Sequence, residues 1–368
     1  MEERKNTGRV YLMNVDHANT HGAFDDKVAP VKQSNLCCEI NLPTKPLESI
    51  VDEHGEISLC TLSAINWGNI KKPDDFKKPC ELAVRALDAL LDYQKYPVLA
   101  AEASTMKRRP LGIGIINLAY WIAKNDMSYQ DIDEKGLAKI DEWAEAWSYY
   151  LIKASADLAQ EKGMISGNNE TKYGLGITPN QTYKKEVDEL VPHVERMDWE
   201  GLRTQLKRTG IRNSTLMALM PAETSAQISN STNGVEPPRA FVSVKQSKHG
   251  VLRQVVPGFA RLKNKYDLLW QQRSPEGYIK IMAVLQKYID QGISVNTSYN
   301  PEYFEDEKIP MSVLLQHLLM FYKYGGKQLY YFNTYDGQGE IEFKDDRKSR
   351  EDFETDQQYD DYCESCVI

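Results

Sequence analysis

Three residue types that can act together stand on alternate positions in "QSNLCCEINLP", residues 33–43: the amide of Asn35, the thiol of Cys37 and the carboxyl of Glu39. In an extended segment, side chains at i, i+2 and i+4 leave the same side of the backbone, so the trio would converge on one small volume, and in a strand or a finger-like loop the three groups could act on one molecule. On a helix, successive members would point roughly 200° apart. The chemistry such a trio offers is specific. A thiol S–H and an activated sugar C–H have similar bond strengths, so a thiyl radical on Cys37 could take a hydrogen atom from a ribose carbon. Glu39 could remove a hydroxyl proton at the same time, and Asn35 could hold the neighbouring hydroxyl. The competing reading is a small hydrophobe in a core strand, since buried cysteines are common. Cys38 would face the other way and takes no part.

Other groups add to this picture. Cys60, placed in the next expected strand, could supply a reducing hydrogen. Tyr330 and Tyr331 are adjacent in "LYYF". Neighbouring phenols pack well, and they can also pass a hydrogen atom between two O–H bonds of nearly equal strength. In "MPAETSAQISNS", the run Pro221, Ala222, Glu223, Thr224 and Ser225 precedes a helical pattern. Its hydroxyls read first as a helix cap, and the helix start also suits an anion such as a diphosphate. Cys363 and Cys366 form a terminal C-x-x-C without two further zinc ligands nearby, which favours a redox dithiol. His17 and His21 lack a third ligand and read as structural; no metal site is expected. "GIG" at Gly112–Gly114 lacks the third glycine of a dinucleotide fingerprint and fits strand packing better, and Cys80 reads as core.

The elements that must position these groups follow from periodicity. A strand is expected in "GRVYLMNV", followed by a polar, His-containing loop, and another from Ile57 to Leu62 that holds Cys60. "DFKKPCELAVRALDALLDYQ" has helical spacing, "RRPLGIGIINLAYWIAK" reads as a strand running into a helix, and residues 137–162 form the longest helix. Further strands and helices alternate up to Gly337, giving an α/β class with one compact unit, 1–337. From Gln338 to Ile368 there are eleven Asp/Glu against four Lys/Arg and few aliphatics, so 338–368 reads as a mobile acidic tail. No apolar run reaches about 18 residues, and the N-terminus lacks a secretory pattern, so a cytoplasmic chain with free thiols is expected. The net charge of −8 argues against a nucleic-acid surface.

Taken together, "TGRVYLMNVDHANTH", "APVKQSNLCCEINLPTKPL", "GEISLCTLSAINWG", "RNSTLMALMPAETSAQISN", "NGVEPPR", "LYYFNTYDG" and "CESC" resemble the large, catalytic subunit of class I ribonucleotide reductases. The likeness runs from about Thr7 to Ile368. It implies that Cys37 becomes the transient thiyl radical, that Glu39 is the base at the 3′-hydroxyl and that Asn35 orients the substrate hydroxyls. Cys60 would be one of two reducing thiols. Tyr331 and Tyr330 would relay a radical inward from a separate diiron small subunit, so no cofactor would be bound directly. Pro221 to Ser225 would seat the phosphates of a ribonucleoside diphosphate. Cys363 and Cys366 would re-reduce the site and take electrons from a thioredoxin or glutaredoxin.

The pattern departs from the family in two places. Ala222 stands where many relatives have a hydroxyl residue. The trio, mid-chain in the family and inside a ten-stranded α/β barrel, here lies 35 residues from Met1. The expected fold is therefore the second half of that barrel with a finger loop, and the partner of Cys60 would lie in the other half. The expectation is a split subunit that assembles non-covalently with an N-terminal half. The rival is a non-catalytic remnant that binds the small subunit. Cobalamin-dependent reductases share the thiol chemistry, but the Tyr330–Tyr331 pair separates the two.

Overall fold

The computed structural model describes residues 1–52, 54–247 and 250–337. The acidic tail and its Cys363 and Cys366 lie outside the described residues. The strands in chain order are β1 (Leu12–Met13), β2 (Thr61–Asn66), β3 (Leu111–Ile116), β4 (Val242–Ser247), β5 (Gly250–Val255), β6 (Val295–Tyr299) and β7 (Gln328–Thr334). β2 and β3 pair in parallel, with Thr61 opposite Leu111 and Asn66 opposite Ile116. β3 touches the extended stretch 216–219 through Ile113 and Met217, and that stretch meets the approach to β6 through Leu219 and Ile293; both contacts are parallel. β6 pairs in parallel with β7. Five extended segments thus lie side by side in chain order, all running the same way. The two residues of β1 add antiparallel to β7, and β4–β5 is a separate antiparallel ribbon.

Parallel neighbours require crossover connections, and helices supply them. Lys77–Tyr93 and Leu99–Arg108 lead from β2 to β3. Leu118–Lys124, Glu134–Lys162 and Trp199–Thr209 lead from β3 to 216–219, and Met311–Lys323 leads from β6 to β7. Covered by helices, β3 is buried at every position, as expected for a strand inside a parallel sheet. Its glycines admit close neighbours. A Cβ on Gly112 would lie 2.5 Å from Leu62 and 3.1 Å from Cys60 Sγ, and one on Gly114 would lie 2.8 Å from Met220 Sδ. The 29-residue helix Glu134–Lys162 starts where Asp133 accepts the N–H of Gly136 at 2.8 Å and stops at Gly163, φ 88°. Its Trp143 and Trp147 close an aromatic cluster with Trp67, Trp121 and Phe76.

Several expectations need correction. "GRVYLMNV" yields only the two-residue β1, because only Leu12 and Met13 pair with β7; Gly8, φ 70°, ends the helix Glu2–Thr7, and Val15 opens the next helix. The His-containing stretch is not a loop but a helix, Val15–Thr20. Its two histidines are held by protein: His17 Nδ1 lies 2.9 Å from Gly326 O, and His21 Nε2 2.6 Å from Gln286 O. The strand read at 57–62 begins at Thr61, so Cys60 sits just before it. The segment ahead of it is tied elsewhere: Glu56 exchanges backbone hydrogen bonds with Lys45, and its carboxylate takes Arg108 Nη1 at 2.7 Å. Among the described residues no helix is long and apolar enough to cross a membrane.

Candidate active site

The 33–43 stretch is not an extended strand but a turn, which brings Asn35 against Glu39 and presents Cys37 to Tyr330. The N–H of Cys38 bonds to Asn35 O at 3.1 Å, and Cys38 sits at φ 60°, left-handed space that a non-glycine residue enters at a cost. The Asn35 side chain closes the turn. Its Oδ1 accepts from the N–H groups of Glu39 and Ile40, at 3.0 and 3.1 Å, and its Nδ2 donates to Glu39 Oε1 at 2.8 Å. The amide and the carboxylate therefore meet directly. Leu36 at the tip is 79 % exposed, while Glu39 is buried.

Groups on the approach to β6 hold the loop. Gly292 N–H donates to Glu39 O at 2.8 Å. The single hydroxyl of Ser294 faces two acceptors, Cys37 O at 2.5 Å and Glu39 Oε2 at 3.2 Å. Burial raises the pKa of Glu39, and the hydrogen bonds from Asn35 and Ser294 offset part of that rise by favouring the charged form. Burial, with Glu39 and Cys37 as like-charged neighbours, pushes the Cys38 thiol up to about 11.

Tyr330 donates its hydroxyl to Cys37 Sγ at 3.6 Å, so a phenol and the loop thiol are in direct contact. The rings of Tyr330 and Tyr331 lie 4.1 Å apart between centroids. A third phenol joins them: Tyr11 lies 4.8 Å from Tyr330 and 5.4 Å from Tyr331, edge-on to the latter. Burial and hydrogen bonding to Tyr331 push Tyr11 up to about 12. Tyr331 moves down, because the Tyr11 and Tyr330 hydroxyls bond to it. Tyr330 moves up, first through burial and then through its bonds to Tyr331 and Cys37. Arg4 fixes the backbone beneath the pair; its Nη1 donates to Val10 O at 2.5 Å and to Tyr330 O at 2.8 Å, and its Nη2 to Tyr331 O at 3.3 Å.

Cys60 is reached through Gln291, whose Nε2 lies 3.6 Å from Cys60 Sγ and 3.0 Å from Leu111 O. Burial pushes this thiol up to about 12, and the Gln291 hydrogen bond works against that shift. Sequence reasoning missed Gln291, Ser294, Tyr11 and Arg4. The available signal was "YIDQGIS", where Asp290, Gln291 and Ser294 interrupt an apolar run.

The run from Pro221 to Ser225 differs from the cap expected of it. The helix Glu223–Ile228 begins after Ala222, which has no side-chain cap; Thr224 and Ser225 lie inside its first turn, and Ser225 Oγ donates back to Ala222 O at 3.2 Å. Asn233 Oδ1 takes the Ala222 N–H at 3.0 Å. The first-turn amides have no intrahelical acceptor, as at any helix start. The run follows 216–219, whose Leu219 bonds Gly292 O and Ser294 N–H, so it adjoins the bracket that holds the loop.

These features define a parallel α/β domain with a thiol-bearing turn and paired phenols set against its strands. The chain belongs to the ribonucleotide reductase barrel-domain family, whose model matches residues 1–266 and 260–332. It is similar to the ribonucleoside-diphosphate reductase subunit alpha of Haemophilus influenzae, 55% identical over 93% of this chain and 45% of the relative. The subunit alpha of reductase 1 from Escherichia coli is 52% identical over 92% of this chain and 44% of its own length. That of enterobacteria phage T4 is 42% identical over the whole chain and 47% of its own length. The chain thus spans under half the length of these relatives.

Proposed function

We propose that the chain forms the part of a ribonucleoside-diphosphate reductase that carries the radical thiol. The observation that supports this best is the hydroxyl of Tyr330 resting on Cys37 Sγ at 3.6 Å, in the same turn as a buried carboxylate. In this reading Tyr331 and Tyr330 pass a hydrogen atom's worth of oxidation to Cys37, which becomes a thiyl and takes the hydrogen from ribose C3′. Glu39 accepts the 3′-hydroxyl proton, and Asn35 steadies the adjoining hydroxyls. The 2′-hydroxyl leaves as water with a proton from one reducing thiol, C2′ takes its replacement hydrogen from the other as Cys60 and that second thiol become a disulfide, and Glu39 returns the proton to the 3′-oxygen. The hydrogen then returns from Cys37 to C3′.

The radical would originate in a separate diiron small subunit. The run from Pro221 to Ser225 would seat the diphosphate on backbone N–H groups. Cys363 and Cys366 would return the disulfide to dithiol, with a thioredoxin or glutaredoxin as the external donor. The second reducing thiol and the rest of a ten-stranded barrel would come from the region of the relatives that this chain does not align with.

The test is reconstitution with that region and with the small subunit, assaying deoxyribonucleotide formation. Activity should vanish in Cys37→Ser and in Tyr331→Phe. Unchanged activity in Cys37→Ser would leave a non-catalytic role for the chain, and unchanged activity in Tyr331→Phe would place the radical source elsewhere.

A further inference from the structure

The segment 290–294 touches both cysteines of the site, Cys37 at its backbone carbonyl through Ser294 and Cys60 at its sulfur through Gln291, the one side chain of the segment that bonds to Cys60. Gln291 is fully buried. Its Oε1 accepts the N–H of Asn41 at 3.2 Å, at the base of the Cys37 turn. Its two Nε2 hydrogens have two acceptors, Leu111 O at 3.0 Å and Cys60 Sγ at 3.6 Å. The amide itself is fixed, since its backbone N–H bonds Met217 O at 3.2 Å and its carbonyl accepts from Gln286 Nε2 at 3.2 Å and from Lys327 Nζ. The next residue, Gly292, leaves little room: a Cβ there would sit 2.1 Å from Gln328 Oε1, which would have to shift, and 3.1 Å from Glu39 O.

We infer that Gln291 is the positioning residue for the Cys60 thiol, holding its sulfur by an N–H donor and tying it to the turn that carries Cys37. This rests on the reading of Cys60 as a reducing thiol. A thiol that accepts an N–H through its lone pair has its own hydrogen turned away from that donor. Gln291 therefore turns the Cys60 S–H away from itself, and links the Cys60 sulfur to the backbone just after the Cys37 turn through a single amide. The charged groups that bear on Cys60 are Asp290 and Glu39. Both oppose the thiolate, and Gln291 is the group that favours it. A buried glutamine with all its bonds satisfied also gives the thiol a fixed environment.

The experiment is modification of the purified full chain by a small symmetric disulfide, followed cysteine by cysteine by peptide mass spectrometry across a range of pH. Two variants are compared with the parent. Gln291→Met fills the space without a donor, and Gln291→Glu keeps an acceptor for the Asn41 N–H while losing the donor. Loss of the donor raises the thiol's pKa. For one unit, the thiolate fraction falls tenfold while its nucleophilicity rises, so modification of Cys60 should slow by about threefold below the pKa. Cys37 should keep its rate. A merely structural role has the opposite sign, because loosening the packing exposes Cys60 and speeds its reaction. If Gln291→Met does not fold, Gln291→Leu, which likewise lacks the donor and adds no charge, decides the matter. A Cys60 rate equal to or above the parent's in any folded variant overturns the inference. The measurement needs no nucleotide reduction, so it stands or falls apart from the proposed activity.

Discussion

Ser294→Ala isolates the contact between the strand support and the reactive turn. Ser294 has one hydrogen and two acceptors, and the shorter bond, to Cys37 O at 2.5 Å, should take most of it over Glu39 Oε2 at 3.2 Å. Removing the hydroxyl leaves that carbonyl without its donor, which costs about 1–2 kcal/mol. Unfolding entropy of about 2.1 cal/mol/K per residue gives about 0.7 kcal/mol/K for a unit of this size, so the melting temperature should fall by about 1.5–3 °C. The turn itself should survive, because Asn35 and Gly292 still hold Glu39. Activity has a second readout. In the proposed reaction Glu39 is the base and must be ionised; burial raises its pKa and Ser294 partly offsets that, so the variant's acid limb should move to higher pH. Ser294→Thr keeps the hydroxyl and should restore both. The assays are calorimetry on the chain and the pH dependence of turnover in the assembled enzyme. An unchanged melting temperature together with an unmoved acid limb would refute the reasoning.

Three further expectations follow from the same contacts. Tyr11→Phe removes the hydroxyl bonded to Tyr331, which restores the Tyr331 phenol toward its ordinary pKa; ultraviolet titration of the tyrosines should show that rise, and turnover should fall less than in Tyr330→Phe, which loses the contact with Cys37 outright. Gly112→Val drives a side chain into Leu62 and toward Cys60 Sγ, at 2.5 and 3.1 Å from the first added carbon; overpacking should cost about 1–3 kcal/mol, read by urea denaturation. Burial alone would raise Glu56, but Arg108 outweighs it and holds the carboxyl down to about 2. A depressed carboxylate contributes stability above its unfolded pKa, about 4.3, that is lost as pH falls through about 2. Glu56→Gln should therefore lose up to about 3 kcal/mol at neutral pH and flatten the acid unfolding curve in that window.

The sequence made some features legible because they are local. The helix over residues 137–162 announces itself through apolar spacing and is fixed by Asp133 and Gly163 at its ends. β3 and the helix after it stand out in "LGIGIINLAYWIAK" for the same reason. The chemistry of Asn35, Cys37 and Glu39 was legible as residue types, yet their arrangement was not. Alternation pointed to an extended segment or a finger-like loop, and of the two the chain uses a turn whose Cys38 sits at φ 60°, a conformation that glycine or asparagine would have signalled. What seats that turn was hidden for another reason. Ser294, Gln291, Tyr330 and Asn41 act across more than 240 positions of chain, and no periodicity reports such contacts. The strand at Cys60 was misplaced because "ISLC" and "TLSAIN" are equally β-prone, and only the ladder to β3 decides where pairing starts.

The buried charges near the site make sense as architecture for this long-range assembly. Asp290 accepts the N–H groups of Leu216 and Met217 at 2.8 and 2.9 Å and the hydroxyl of Tyr173 at 2.8 Å. Lys327 donates to the carbonyls of Ile289, Asp290 and Gln291. Burial raises Asp290 to about 6 and lowers Lys327, so each group is held at a solvation cost that its backbone partners offset. The carboxylate binds the stretch 216–219 to the 290–294 segment, and the ammonium binds that segment to the start of β7. Three of the five parallel segments are cross-linked this way directly beneath the residues that grip Cys37, Glu39 and Cys60. The proposed hydrogen-atom transfer between sulfur and carbon would tolerate little drift in distance, and loops alone lose such precision to their own motion. Fixing the loop to one short segment, and that segment to its neighbours by buried charge, is how this chain keeps two thiols and a carboxylate in register.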